Sequence, residues 1–213
     1  MRYLLIVCLL VLPFAVQARP VSYKGGTMVM LENNIMENSA LVNYTYDPKY
    51  ALGYRILYDR NTASTFHGAQ FNALLKRWNN PDSQANIYWQ SAIGLLDRQS
   101  EYAGNEFQPA GLTGIEADWE DRRFYVSYEN RIRIADDNQW QNFQQSARMG
   151  IAPYVAEAGS LHTWLMLQFD HRPEQDDSFT TTPLVRMFYD TYLFEAGYNV
   201  DEQAPLLNFT TYF

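Results

Sequence analysis

Residues 112–134 read LTGIEADWEDRRFYVSYENRIRI and alternate with period two on both sides of a turn at Glu120-Asp121. One face carries Thr113, Ile115, Ala117 and Trp119, then Arg122, Phe124, Val126, Tyr128, Ile132 and Ile134. The other carries Glu116, Asp118, Arg123, Glu129, Arg131 and Arg133. A two-residue loop at Glu120-Asp121 sets Asp118 opposite Arg123 and Ala117 opposite Phe124, so like faces like across the pair. A soluble barrel turns its apolar face inward. A continuous apolar face with aromatic ends, backed by a face carrying charges of both signs, is the pattern of a membrane barrel, whose lumen is polar and whose outside meets lipid. A soluble periplasmic barrel is the alternative, and it predicts the reverse face assignment.

The rest of the chain repeats this hairpin. Thr27–Asn34 is a first strand, and Ala40–Tyr46 pairs with Tyr50–Tyr58 around Asp47-Pro48-Lys49. Thr65–Trp78 and Ala85–Leu96 flank the turn-forming run Asn79–Gln84. Phe143–Val155 and Leu161–Phe169 flank Ala156–Ser160, Thr180–Tyr189 and Tyr192–Asn199 flank Asp190-Thr191, and Leu206–Phe213 closes the chain. Polar loops fall at Asp97–Glu106, Ala135–Asn142 and Asp170–Phe179. The fold class is therefore all-β, a closed up-and-down antiparallel transmembrane β-barrel of about 12 strands, with 10 as the alternative. An even count puts both termini on the side of the short turns.

The formal net charge of −8 removes the basic footprint of a nucleic-acid binder. Arg2, the apolar run Leu4–Phe14 and Val16-Gln17-Ala18 have the parts of a secretory signal, giving a signal peptide at 1–18 and one barrel domain at 19–213. The single cysteine, Cys8, lies in that apolar run, so an exported chain would have no disulfide to hold it. Arg19–Gly26 reads as a short periplasmic lead.

Tyr46, Tyr50, Trp119, Tyr189 and Tyr192 are outward aromatics beside the short turns, where an interfacial girdle would sit. The last strand alternates through Leu207 and Phe209 to a terminal Phe213, with Thr211 departing from the apolar pattern. On these features the chain resembles the Gram-negative outer-membrane β-barrel proteins. The resemblance implies residence in the cell outer membrane, contact with the lipid bilayer and lipopolysaccharide, and recognition of the final strand by the barrel assembly machinery. It is a resemblance of class and implies no particular function.

The inward charges are the candidate site. Arg55, Arg123, Arg131, Arg133, Arg148 and Arg186 face Glu116, Asp118, Glu129 and Glu195 across a lumen, with Lys76, Asp59 and Asp170 on the same side. Such a set either fills the lumen with ion pairs or lines a constriction that selects small solutes by size and field. Tyr88, Tyr125, Tyr154, Trp164 and Phe188 would narrow it. The first function expected is a narrow, porin-like channel for small polar or cationic solutes. The second is a plugged barrel acting as a structural, receptor or accessory protein through acidic loops. A third is an outer-membrane enzyme, with His162 near Ser160 or His171 beside Asp170, or a copper-associated accessory protein using Met28, Met30 and Met36. No nucleophile elbow or zinc motif is present, no cofactor is expected, and no metal site is assigned. Val126→Arg is expected to impair assembly and Tyr125→Arg to be far milder.

Overall fold

Twelve strands follow one another around a single sheet: β1 (Thr27–Asn33), β2 (Glu37–Asp47), β3 (Tyr50–Asp59), β4 (Ser64–Asn79), β5 (Ser83–Ser100), β6 (Gly104–Asp121), β7 (Phe124–Ala135), β8 (Asn142–Ile151), β9 (His162–His171), β10 (Phe179–Tyr189), β11 (Tyr192–Asn199) and β12 (Ala204–Tyr212). The computed structural model describes residues 19–100, 104–136, 140–157, 159–174 and 178–213. The signal peptide read at 1–18 lies outside the described residues. Every strand is antiparallel to its neighbours, and β1 closes on β12 with Met28 opposite Tyr212 and Asn33 opposite Leu207. The closure continues into Phe213, which exchanges backbone hydrogen bonds with Thr27 at 2.8 and 3.0 Å. The sheet closes on itself, which is what a strand structure in lipid requires.

Burial runs opposite to that of a soluble protein. Arg55, Glu195, Asp59, Arg133 and Glu37 are all buried, whereas Val42, Leu52, Ile93, Leu95, Ile132, Leu165 and Leu207 are exposed. The two sets alternate along each strand, as the pleat demands. On β3, Tyr50, Leu52, Tyr54, Ile56 and Tyr58 point out while Ala51, Arg55, Leu57 and Asp59 point in. A contiguous apolar belt on the outside is compatible with an acyl-chain surround and not with water. Apart from Arg123, Lys76 and Tyr154, the outward and inward faces are those the alternation predicts.

The central hairpin differs in register. Asp118 faces Ser127 and Ala117 faces Tyr128, four residues along from the expected partners. The Asp121 carboxylate accepts the backbone N–H of Arg123 and of Phe124, each at 2.6 Å, and this moves the turn onto Arg122-Arg123. Because the shift is an even number of residues, both faces are preserved. Arg123 is therefore an exposed turn residue and not a lumen residue, and Glu120 moves from the turn to the buried inner face.

Three further expectations change. A β-bulge between Leu74 and Lys76 carries Lys76 to the outside over the Trp78 ring, 5.7 Å from its centroid, and turns Arg77 inward. Tyr154 lies in the connection between β8 and β9, where its hydroxyl donates to the Leu161 carbonyl at 3.0 Å. The polar run from Asp97 is strand and not loop, because Asp97 pairs with Phe107 and Arg98 with Glu106, extending the β5–β6 hairpin.

Candidate functional site: the barrel lumen

At the loop side of the lumen, arginines from one wall cross to carboxylates on the other. Arg133 on β7 reaches Asp59 on β3 at 2.6 Å and also binds the Glu37 carboxylate of β2. Arg131 donates to the other Glu37 oxygen at 2.9 Å and to Glu129 at 3.2 Å. Arg55 donates to Gln70 at 2.8 Å and lies 3.6 Å from Glu32. Two arginines thus share one buried carboxylate across the barrel. Each guanidinium finds a planar acceptor, which is how buried charge is made tolerable away from water.

A second cluster sits lower, around Glu195 of β11. Arg186 donates to it at 2.6 Å, Arg148 at 3.3 Å and Asn208 at 2.9 Å. The Arg186 guanidinium also covers the Tyr125 ring at 4.6 Å. Arg148 continues to Gln168 at 2.8 Å. Opposite this cluster, Glu116 accepts from Gln90 at 2.6 Å and faces Glu129 across the β6–β7 ladder. Asp118 accepts from Asn86 at 2.7 Å.

Both ends of the lumen hold large groups. At the loop side Trp140 is fully buried, stacked on Phe66 at 5.5 Å and lying under the Arg133 guanidinium at 5.5 Å. Leu57, Leu96 and Leu112 complete that apolar packing. At the turn side the lead is not a free periplasmic tail. Arg19–Ser22 runs inside the barrel, with the Arg19 side chain on Glu120 at 2.9 Å and its backbone N–H on the Tyr212 hydroxyl. The Pro20 carbonyl accepts from Asn43 and Asn72, each at 3.4 Å, and Val21 packs on Ala51, Leu74 and Tyr88.

Between these ends the polar walls leave two cavities that share part of their lining. The upper is lined by residues such as Glu37, Gln144, Gln168 and Asp170, the lower by Gln90, Glu116, Tyr125 and Glu195. Glu32, Glu129, Arg131, Ser146 and Arg148 line both. The Glu129 side chain is 41 % open, the most exposed carboxylate among the ion pairs of the described residues.

Of the lumen residues read from the alternation, Arg55, Glu116, Asp118, Glu129, Arg131, Arg133, Arg148, Arg186 and Glu195 point inward, and Arg123 does not. Glu37, Glu120, Trp140 and the lead were missed. Glu37 continues the inward series Ser39, Leu41, Asn43 and Thr45, so the alternation carried its signal. Nothing in the sequence marks Trp140. The five aromatic candidates stand on the outer face beside the short turns, and Tyr46 and Tyr50 stack at 6.3 Å. Leu207 and Phe209 face outward, and Phe213 is exposed at the chain end. His162 lies against Phe188, and His171 stacks on Phe179 at 4.3 Å with its Nδ1 2.8 Å from Gln145. Among the described residues no group of three or more His, Cys, Asp or Glu is placed to hold a metal ion.

No protein-family model matches the chain, and no curated protein matches it in sequence. Solved structures do share its shape. A KdgM porin in complex with disordered oligogalacturonate matches with a TM-score of 0.50 at 7 % identity, covering 88 % of this chain and 98 % of the porin. A second KdgM porin structure covers the same shares at 9 % identity and a TM-score of 0.48. The first likeness is one of fold. At the level of class the resemblance holds: the chain folds as a closed 12-stranded barrel of the outer-membrane type.

Proposed function

We propose that this protein is a narrow outer-membrane channel for small polar solutes, with a preference for cations set by its acidic loops. The observation that carries the reading is the pair of cavities sharing Glu32, Glu129, Arg131, Ser146 and Arg148, a polar path from the loop-side mouth down to Arg19 and Pro20. Carboxylates and guanidinium groups both line those cavities. A passing solute therefore meets a polar, nearly charge-balanced wall that excludes by size more than by sign. Each cavity leaves about 90 Å³ of space for the centres of water molecules, which at roughly 10–15 Å³ per water is room for a hydrated ion or a small polyol and too little for a long oligomer.

The same reading seats the apolar belt in the bilayer, with Tyr46, Tyr50, Trp119, Tyr189 and Tyr192 at one interface. It takes the loop side outward to lipopolysaccharide, export through a signal peptide cleaved after Ala18, and recognition of Leu207, Phe209 and Phe213 by the assembly machinery. A second reading, a closed barrel working through its loops, is favoured by the buried Trp140 and by the lead inside the lumen. Efflux from vesicles carrying the barrel separates the two. The channel reading expects glycerol to leave faster than from protein-free vesicles and a trisaccharide to stay. Efflux of glycerol no faster than from lipid alone would leave the closed-barrel reading.

A further inference from the structure

The lead enters the barrel by a defined route. Gly25 adopts φ +88°, a conformation open to glycine, and the chain reverses there. Gly25 N–H donates to the Thr45 carbonyl at 2.7 Å, and Thr45 N–H donates to the Gly26 carbonyl at 2.9 Å, so the reversal is fastened to β2. Ser22 N–H then donates to the Thr45 hydroxyl at 3.1 Å. From there the chain meets three different kinds of partner in succession. Val21, 1 % exposed, fills an apolar recess of Ala51, Leu74 and Tyr88. The Pro20 carbonyl takes the side-chain amides of Asn43 and Asn72, which are themselves buried. The Arg19 guanidinium meets the buried Glu120.

That combination differs from the rest of the lumen. Other apolar clusters also face the lumen, but this one is filled by a residue of the lead and not by a strand residue. Asn43 and Asn72, from β2 and β4, converge on one carbonyl that belongs to neither strand. We propose that the turn-side end of the lumen is a binding site for the chain's own segment Arg19–Ser22, and that this segment is a tethered stopper closing that end to water-borne solutes. The tether is short, Tyr23–Gly26, so the local concentration of the segment is high, on the order of millimolar or above, even though its contacts are few. The stopper leaves only when the Arg19–Glu120 ion pair, the two hydrogen bonds to the Pro20 carbonyl and the Val21 contact break together.

The inference goes beyond the channel reading and is tested apart from it. In a Cys8→Ala background, Ala51→Cys places a thiol beneath Val21. A charged maleimide is applied to the folded barrel in membranes opened on the turn side. The full chain is expected to protect that thiol. A chain lacking residues 19–22, and separately the variant Val21→Asp, are expected to label at least tenfold faster while keeping the heat-modifiable mobility of a closed barrel. Equal labelling rates in all three would overturn the proposal. Failure of both variants to fold would overturn it as well, since the segment would then be part of the core and not a removable stopper. Channel failure looks different: labelling rises when the segment goes, yet no solute passes.

Discussion

The two faces of one strand are chemically opposite, and a single introduced arginine reads the difference. Val42 on β2 points out and is 49 % exposed. It stands four residues from Tyr46, and its partner Tyr54 is four residues from both Tyr50 and Tyr58. At roughly 3.4 Å per residue and a tilt of about 40°, four residues correspond to about 10 Å along the barrel axis, close to the midplane of an apolar band about 25 Å tall. An arginine there costs about 2–4 kcal/mol. With 1.4 kcal/mol per factor of ten, the folding equilibrium should fall by roughly 30- to 700-fold. Gln90→Arg is the inward control. Gln90 donates to Glu116, which faces Glu129, so a guanidinium enters between two carboxylates, and the change should stay below about 1 kcal/mol. Urea titration of refolding into vesicles, followed by heat-modifiable mobility, measures both. Equal destabilisation by the two arginines would refute the face assignment. Val126 is a poorer probe than the sequence suggests, because it pairs with Trp119 near the turn, where arginine costs only about 0–1 kcal/mol. Tyr125→Arg is not mild either, since it removes the ring beneath Arg186 and sets a cation beside it.

Trp140→Ala should cost about 3–5 kcal/mol, because the ring is fully buried against Phe66 and Arg133; urea titration checks it, and a loss under 1 kcal/mol would show that the ring does not pack there. Arg133→Ala leaves Asp59 and Glu37 short of a partner and should cost about 3–5 kcal/mol, with part recovered in the Arg133→Ala, Asp59→Asn double variant; an additive double variant contradicts the pairing. Phe213→Ala, which keeps the backbone hydrogen bonds to Thr27, should slow assembly in cells while leaving refolding from urea within twofold of the full chain. An equal loss in both settings would make Phe213 a packing residue and not a signal.

Faces were legible in the sequence and registers were not. A strand's alternation reports which side meets lipid, and each strand carries many votes. Register depends on a few atoms at a turn. In the central hairpin the Asp121 carboxylate captures two backbone amides and moves the loop by two residues, which displaces Arg123 without disturbing either face. Lys76 was misplaced for a related reason, since one bulged residue reverses the alternation after it. Closure of β1 on β12 decided between 10 and 12 strands, and that depends on pairing between residues at opposite ends of the chain. Trp140 and Arg19–Val21 lie outside regular strands, so no periodicity points them inward. Their positions follow from the space the lumen offers, which exists only after the barrel has closed.

The channel reading requires a polar path that crosses this barrel past Glu129. Planar-bilayer recording tests it most directly, on the full chain, the chain lacking residues 19–22 and Glu129→Lys in each. Discrete openings are expected, small in the full chain and larger without the segment, with a reversal potential under a salt gradient that shifts toward anions in Glu129→Lys. Silence in all four forms, with each folded and inserted, would contradict the channel reading.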